Sequence, residues 1–263
     1  MAKACLFCGV EGPGILSDEH VIPQWLLDHV ELPADDLMFH GVASSATGEL
    51  TRQPRIHSSF NFVEGRVCEQ CNTGWMSKLE SMAKPILIPL LDETRTVGNL
   101  SVEERGVVWK WAAKTAYLHT WAGPLKNAVQ RSHLHALHGP TGVPVPGVHV
   151  FGMQAGFNKK TAYYQTGTWP HFAPPAEPVL RVVKNAAGSY KIGLQFKHLY
   201  LLTAFWPEPF AELVLTAGAH IPIWPMKSDP WSVWSYEGPE TDHAIGKLID
   251  FADSLALKHP TTA

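Results

Sequence analysis

Two short cysteine pairs, CLFC at Cys5–Cys8 and CEQC at Cys68–Cys71, hold all four cysteines of the chain and restrict its folding more than any other feature. A secreted disulfide framework would spread its cysteines and follow an export signal. The N-terminus MAKACLFC has no apolar signal core, so the expected compartment is the cytoplasm. Four thiolates in two CxxC pairs suit a tetrahedral structural zinc, because thiolate softness and tetrahedral geometry both match that ion. Such a closed site staples a region with little core of its own and performs no chemistry. The stretch from Gly9 to Val67 between the pairs is far longer than in a simple zinc ribbon, so something is inserted there.

Inside that stretch lies SDEHVIPQW, Ser17–Trp25. Histidine is the right residue type for a general base, since an imidazole ordinarily titrates near neutral pH. Glu19 and the side-chain carbonyl of Asn72, which directly follows Cys71, are oxygen donors. Oxygen donors suit magnesium or manganese held by few protein ligands plus waters and substrate oxygens. Neighbours on an ideal strand point to opposite faces, so Glu19 and His20 can share one ion only if the chain bends before Pro23.

The 263 residues allow one large or two modest domains, and 45% hydrophobic with 17% charged residues marks a foldable chain. No apolar run approaches membrane-spanning length, since ILIPLL at Ile86–Leu91 is short and interrupted by Pro89. A net charge of −3 and a pI near 6.5 count against a nucleic-acid binder without refuting one, since a local basic patch can act within an acidic whole. Arg52, Arg55, Arg66, Lys78 and Lys84 are the candidates for that patch.

In chain order, a short strand is expected near Ile15–Ser17 and a short helix over Gln24–Val30. The insertion, 34–66, reads as a long loop with two short strands. Trp75, Met76, Leu79, Met82 and Ala83 recur at helical spacing, with Pro85 expected to kink or end that helix. A boundary falls near Asp92–Leu100. Ser101-Val-Glu-Glu104 is a capping box that opens a helix of about five turns with Val107, Val108, Trp111, Thr115 and Leu118 on one face. Another helix is expected near Leu125–Leu137. Strands are expected at Val148–Met153, Thr161–Thr168, Val179–Lys184, Tyr190–Phe205 and Leu213–Thr216, with a hairpin turn at Asn185–Ser189 and a closing amphipathic helix at Thr241–Lys258. The fold class is α+β, in two units: 1–92, and 100–263 with helices packed on a mainly antiparallel sheet. The histidines of HLHALH, His133, His135 and His138, read as solvated, and most of the ten tryptophans as packing.

The ordered set Cys5-x₂-Cys8, Glu19-His20-Val-Ile-Pro23, Cys68-x₂-Cys71-Asn72 and Trp75-Met76 resembles the HNH endonucleases, and within them the bacterial and phage branch with paired zinc knuckles and a CxxCN exit. The likeness covers roughly residues 5–84. A weaker one extends over Glu103–Tyr117. It implies a zinc-stapled ββα-metal module acting as a one-metal nuclease. Glu19 and Asn72 would bind the divalent ion, His20 would deprotonate water, and the ion would stabilise the leaving oxygen. Two departures stand out. Glu19 occupies a position where many relatives have the shorter Asp. Asn61, in a possible strand Phe60–Phe62, is the candidate for the middle asparagine that orients the His20 loop.

The expected activity is therefore divalent-metal-dependent cleavage or nicking of DNA. RNA cleavage would use the same residues, and a non-catalytic zinc module binding nucleic acid or protein is the rival from another class. Candidate roles for 100–263 are substrate recognition, homodimer formation and restraint of the nuclease.

Overall fold

The computed structural model describes residues 3–32, 37–43, 50–58, 61–123, 128–139, 142–154, 161–166, 190–205, 212–215, 221–224 and 255–258. It is α+β, with helices and antiparallel sheets. The expected strand at Val179–Lys184, the turn at Asn185–Ser189 and most of the closing helix lie outside the described residues.

The chain opens with a reversal at the first cysteine pair. The Cys5 amide donates to the Val10 carbonyl and Gly9 to that of Cys5, at 3.0 and 3.1 Å. Gly9 takes φ +75°, a backbone that a side chain would strain. Strand β1, Leu16–His20, then leads through Pro23 into helix α1, Gln24–His29. The insertion forms an antiparallel hairpin of β2, Leu37–Ala43, and β3, Leu50–Ser58, so two strands form there, as expected. Strand β4, Val63–Cys68, returns to pair with β1. Asn61 precedes this strand, is exposed and lies in no strand, and neither does Phe62; Phe60 lies outside the described residues.

Cys68 caps the single turn α2, Glu69–Cys71, by accepting the Cys71 amide on its sulfur. A wide π-type turn over Asn72–Met76, bent at Gly74, leads into α3, Ser77–Leu91. Pro85 does not end α3, which runs on through Pro89. Each internal proline costs about 3 kcal/mol. Burying Leu87, Leu90 and Leu91 returns about 1.5–3 kcal/mol apiece, enough to hold the helix together. Met76, Leu79 and Ala83 face the core as expected, but Met82 is 51% exposed.

Helix α4, Val102–Ala122, starts with the full capping box: Ser101 accepts from the Glu104 amide, and the Glu104 carboxylate accepts from the Ser101 amide. It shows no single apolar face, because Val108–Trp121 is buried on every side. α4 is the central rod of the fold. It packs on α3, on β4, on α5 (Arg131–Leu137) and on the sheet behind it. α5 is shorter than the expected 125–137, since 128–130 is not helical.

The sheet behind α4 has five antiparallel strands in the order β10-β5-β8-β7-β6. They are β5 Val148–Gln154, β6 Thr161–Thr166, β7 Tyr190–Phe196, β8 Leu199–Phe205 and β10 Ile221–Trp224. The long strand expected over Tyr190–Phe205 is split by a tight turn at Lys197, φ 51°. β9, Glu212–Leu215, pairs with β11, Leu255–Lys258. Leu255 was expected on an amphipathic helix; here the apolar residues of 255–258 lie in a strand. One continuous apolar core includes Phe7, Leu27 and Leu79 as well as Leu134 and Leu201. Among the described residues no helix is long and apolar enough to cross a membrane.

A polar chain crosses this core. The Tyr117 and Tyr190 hydroxyls are 2.7 Å apart, and His133 Nδ1 lies 2.8 Å from Tyr190. His133 is therefore buried rather than solvated, and burial pushes its imidazole down to about 4, so it is neutral. His135 and His138 are exposed, as expected.

Candidate metal centre and the hairpin beside it

The β1–β4 hairpin brings the second cysteine pair back to the first. The four sulfurs of Cys5, Cys8, Cys68 and Cys71 lie within 4.8 Å of one another. The Cys8 and Cys68 sulfurs are 3.5 Å apart, far beyond a disulfide bond of about 2.05 Å. Four sulfurs at about 2.3 Å from a zinc ion stand about 3.8 Å apart, so the cluster already has the size of such a site. Backbone amides support it: Cys68 N–H donates to the Cys5 sulfur at 3.3 Å and Cys71 N–H to the Cys68 sulfur at 3.4 Å. The Cys71 thiol beside Cys5 holds the Cys5 thiol down to about 4, against burial, and the same contact pushes Cys71 up. One thiolate thus forms readily, and the remaining protons would leave on binding a dication. The donor set, spacing and amide support fit a structural zinc.

The oxygen-ligand pair expected from the sequence does not assemble in the same way. The register of β1 with β4 puts Asp18 alone opposite both Gly65 and Arg66, between the pairs Ser17↔Val67 and Glu19↔Glu64. The extra residue of this bulge belongs to β4, so β1 keeps its alternation. Asp18 and His20 are exposed and Glu19 is buried between them. The bend that would turn Glu19 and His20 to one side is absent.

Glu19 points inward to Lys114 of α4, whose side chain is fully buried. Lys114 Nζ lies 3.3 Å from Glu19 and 2.6 Å from Glu80 of α3. Glu80 also accepts the indole N–H groups of Trp25 and Trp111, each at 2.9 Å. Burial pushes the Glu19 carboxyl up, and Lys114 draws it only part of the way back. For Lys114, burial disfavours the ammonium but the two carboxylates outweigh it and hold it charged. Pulling Glu19 away would leave Lys114 partly uncompensated, and breaking a buried pair costs about 3–5 kcal/mol.

Asn72 sits elsewhere on the hairpin. Its Nδ2 donates to Ser17 Oγ at 3.2 Å and to the Asp18 carbonyl at 3.3 Å. Glu19 and Asn72 thus have separate partners, and as arranged they do not fit one shared ion. His20 is exposed at the end of β1, opposite Val63. Asn61 is exposed too; the contact that holds the segment after His20 is a backbone one, from the Val21 amide to the Phe62 carbonyl at 3.0 Å.

Of the basic candidates, Arg66 is committed inward. It forks onto Glu64 at 2.7 and 2.9 Å, donates to the Trp121 carbonyl and lies over the Trp121 ring at 4.9 Å. Lys78 and Lys84 are exposed on α3. The side chains of Arg52 and Arg55 lie outside the described residues.

Sequence reasoning missed Lys114 and Glu80. The available signal was WKWAAK, Trp109–Lys114, in which two lysines one turn apart interrupt an otherwise apolar stretch. No known protein family, characterised protein or solved structure matches this chain, so its reading rests on the residues and the geometry above.

Proposed function

We propose that this chain is a zinc-stapled, HNH-type endonuclease that hydrolyses phosphodiester bonds of DNA, with β1, β4 and α3 as its ββα-metal module. The observation that carries the proposal is the exposed His20 at the end of a strand whose partner runs straight into the four-sulfur cluster. The cluster ties the end of β4 at Cys68 to the segment that leads into β1, at the Leu16–Cys68 end of the hairpin, and the β1–β4 pairing carries that anchor along to His20 at the other end.

In this mechanism His20 takes the proton of the attacking water, and the exposed face of the hairpin leaves room for a phosphodiester beside it. A divalent ion on that face would stabilise the leaving oxygen. Asn72 is the oxygen donor retained from the expected pair, and Glu19 is assigned to docking α4. Zinc in the cysteine cluster has no part in the chemistry.

The buried Glu19–Lys114–Glu80 group favours a second reading, a non-catalytic zinc-stabilised module that binds nucleic acid or protein. The two readings separate in one experiment. Zinc-loaded protein is incubated with supercoiled plasmid, and with RNA, in magnesium or manganese. The nuclease reading expects ion-dependent cleavage that falls by about 10²–10⁴ in His20→Ala, the range ascribed to a general base. Equal cleavage by the variant and the native chain would remove His20 from the mechanism. Binding without cutting supports the second reading, and cleavage of RNA alone changes the substrate.

A further inference from the structure

We infer that Trp75 and Lys110 form an outer layer of the four-sulfur centre. The Trp75 indole N–H supports the Cys71 sulfur when that sulfur is a metal-bound thiolate, and Lys110 of α4 holds the indole in place. How tightly the cluster keeps zinc is then set in part by α4, an element outside the stretch that carries the cysteines. This assignment depends on the four sulfurs holding zinc and on no nuclease activity.

Trp75 joins the two cysteine pairs. It packs on Phe7, which lies between Cys5 and Cys8, at 5.3 Å between ring centres. It also follows Cys71 by four residues, within reach across one turn. The Cys5 contact and burial push the Cys71 thiol up, and the Trp75 N–H draws it part of the way back, as a donor beside that sulfur does. Yet Trp75 Nε1 is buried with no hydrogen-bond partner among the described residues. A buried N–H is seldom left so, and the chemistry of a loaded cluster supplies what it lacks. Four thiolates around a dication leave the cluster net negative, so its sulfurs are far better acceptors than neutral thiols.

Lys110 is the second unmatched group. It is 7% exposed, its ammonium donates to the Gly139 carbonyl, and burial draws it down. Lys114, one turn on, has two carboxylates; among the described residues Lys110 has none. Its Nζ lies 5.4 Å from the centre of the Trp75 ring. An ammonium over the face of an indole is attracted by the ring's π charge, and drawing on that charge makes the N–H a stronger donor. A net-negative cluster beyond the indole would give this buried cation its counter-charge. α5 closes the same corner. His138, which caps it, packs edge-on to Trp75 at 6.4 Å, and a Cβ on Gly9 would stand 3.2 Å from the His135 ring.

The experiment measures zinc affinity by chelator competition on reduced full-length protein, with melting temperature and the indole proton signals of isotope-labelled chain before and after loading. Native chain, Trp75→Phe, Lys110→Met and Trp25→Phe are compared. Trp75→Phe keeps a ring against Phe7 and removes the N–H; it is expected to weaken zinc binding by at least about tenfold, as loss of an outer-shell partner does. Lys110→Met keeps the length and removes the charge, and is expected to weaken it by about threefold. Trp25→Phe removes an indole N–H that serves Glu80 instead, so it should melt lower with zinc affinity unchanged. In the native chain one indole proton, missing from Trp75→Phe, should move downfield on loading as it gains a thiolate acceptor. If Trp75→Phe does not fold, Lys110→Met and the native indole spectrum decide. Unchanged zinc affinity in Trp75→Phe or Lys110→Met overturns the inference. So does an equal loss in Trp25→Phe, or an indole spectrum indifferent to the metal. A native chain that takes up no zinc removes the staple itself and this outer layer with it.

Discussion

At the scale of single residues, Lys114 decides what Glu19 can do. A lysine with no exposed side-chain surface is tolerated only when its charge is matched, and here two carboxylates share the task unequally. Glu80 is saturated by Lys114, Trp25 and Trp111, whereas Glu19 has a single long contact. Lys114→Met keeps the length of the side chain and removes the charge, leaving two buried acids facing each other. The expected loss is about 3–5 kcal/mol in denaturant unfolding, the cost of breaking a buried pair. Adding Glu19→Gln to Lys114→Met removes one stranded charge and should recover part of that loss. A single variant as stable as the native chain would show that the charge cluster contributes nothing to the fold.

Among elements, α4 is the one whose ends matter most, because α3, α5, β4 and four strands of the large sheet all pack on it; the capping box fixes where it begins. Ser101 Oγ accepts from the Glu104 amide at 3.2 Å, and the Glu104 carboxylate both returns to the Ser101 amide at 2.8 Å and grips Arg95 at 2.5 and 2.6 Å. Ser101→Ala is expected to cost about 1 kcal/mol, a fall of roughly 2–4 °C in melting temperature for a domain of this size, and Ser101→Asp should be near neutral. No shift for alanine would mean that the helix start is set by burial alone. This box was legible in the sequence because all its partners lie within four residues. The cysteine cluster was legible for another reason: sulfur spacing is a strong local signal even when the pairs are sixty residues apart. The passage of α3 through two prolines was not, since the gain comes from Leu87, Leu90 and Leu91 packing on distant elements. The inward turn of Glu19 was hidden likewise, because its partner is 95 residues further along the chain. Alternation alone warned that Glu19 and His20 would part, and the burial pattern of β1 shows that they do.

For the whole molecule, the cysteine cluster should control a local part of the fold and leave the rest standing. The first knuckle is tied to the body by few backbone bonds, chiefly Leu6 N–H to the Arg66 carbonyl at 2.9 Å, and by the packing of Phe7 on Trp75 at 5.3 Å between ring centres. α4 and the five-stranded sheet have a core that does not need the knuckle, from Val108 and Trp111 through Leu134 to Leu201. A ligand present at a thousand times its dissociation constant adds about 4 kcal/mol, so stripping zinc should lower the melting temperature by about 10 °C. Hydrogen exchange then separates the two regions. Under reducing conditions with a chelator, amides of Cys5, Leu6, Gly9, Cys68 and Cys71 should lose protection while those of Val108–Trp121 keep theirs. Zinc added back should restore both melting and protection, and magnesium should restore neither, because hard cations are poor partners for thiolates. Protein that purifies without zinc, and whose exchange is indifferent to the chelator, would refute the staple. The fixed hairpin on which His20 depends would then lose its anchor as well.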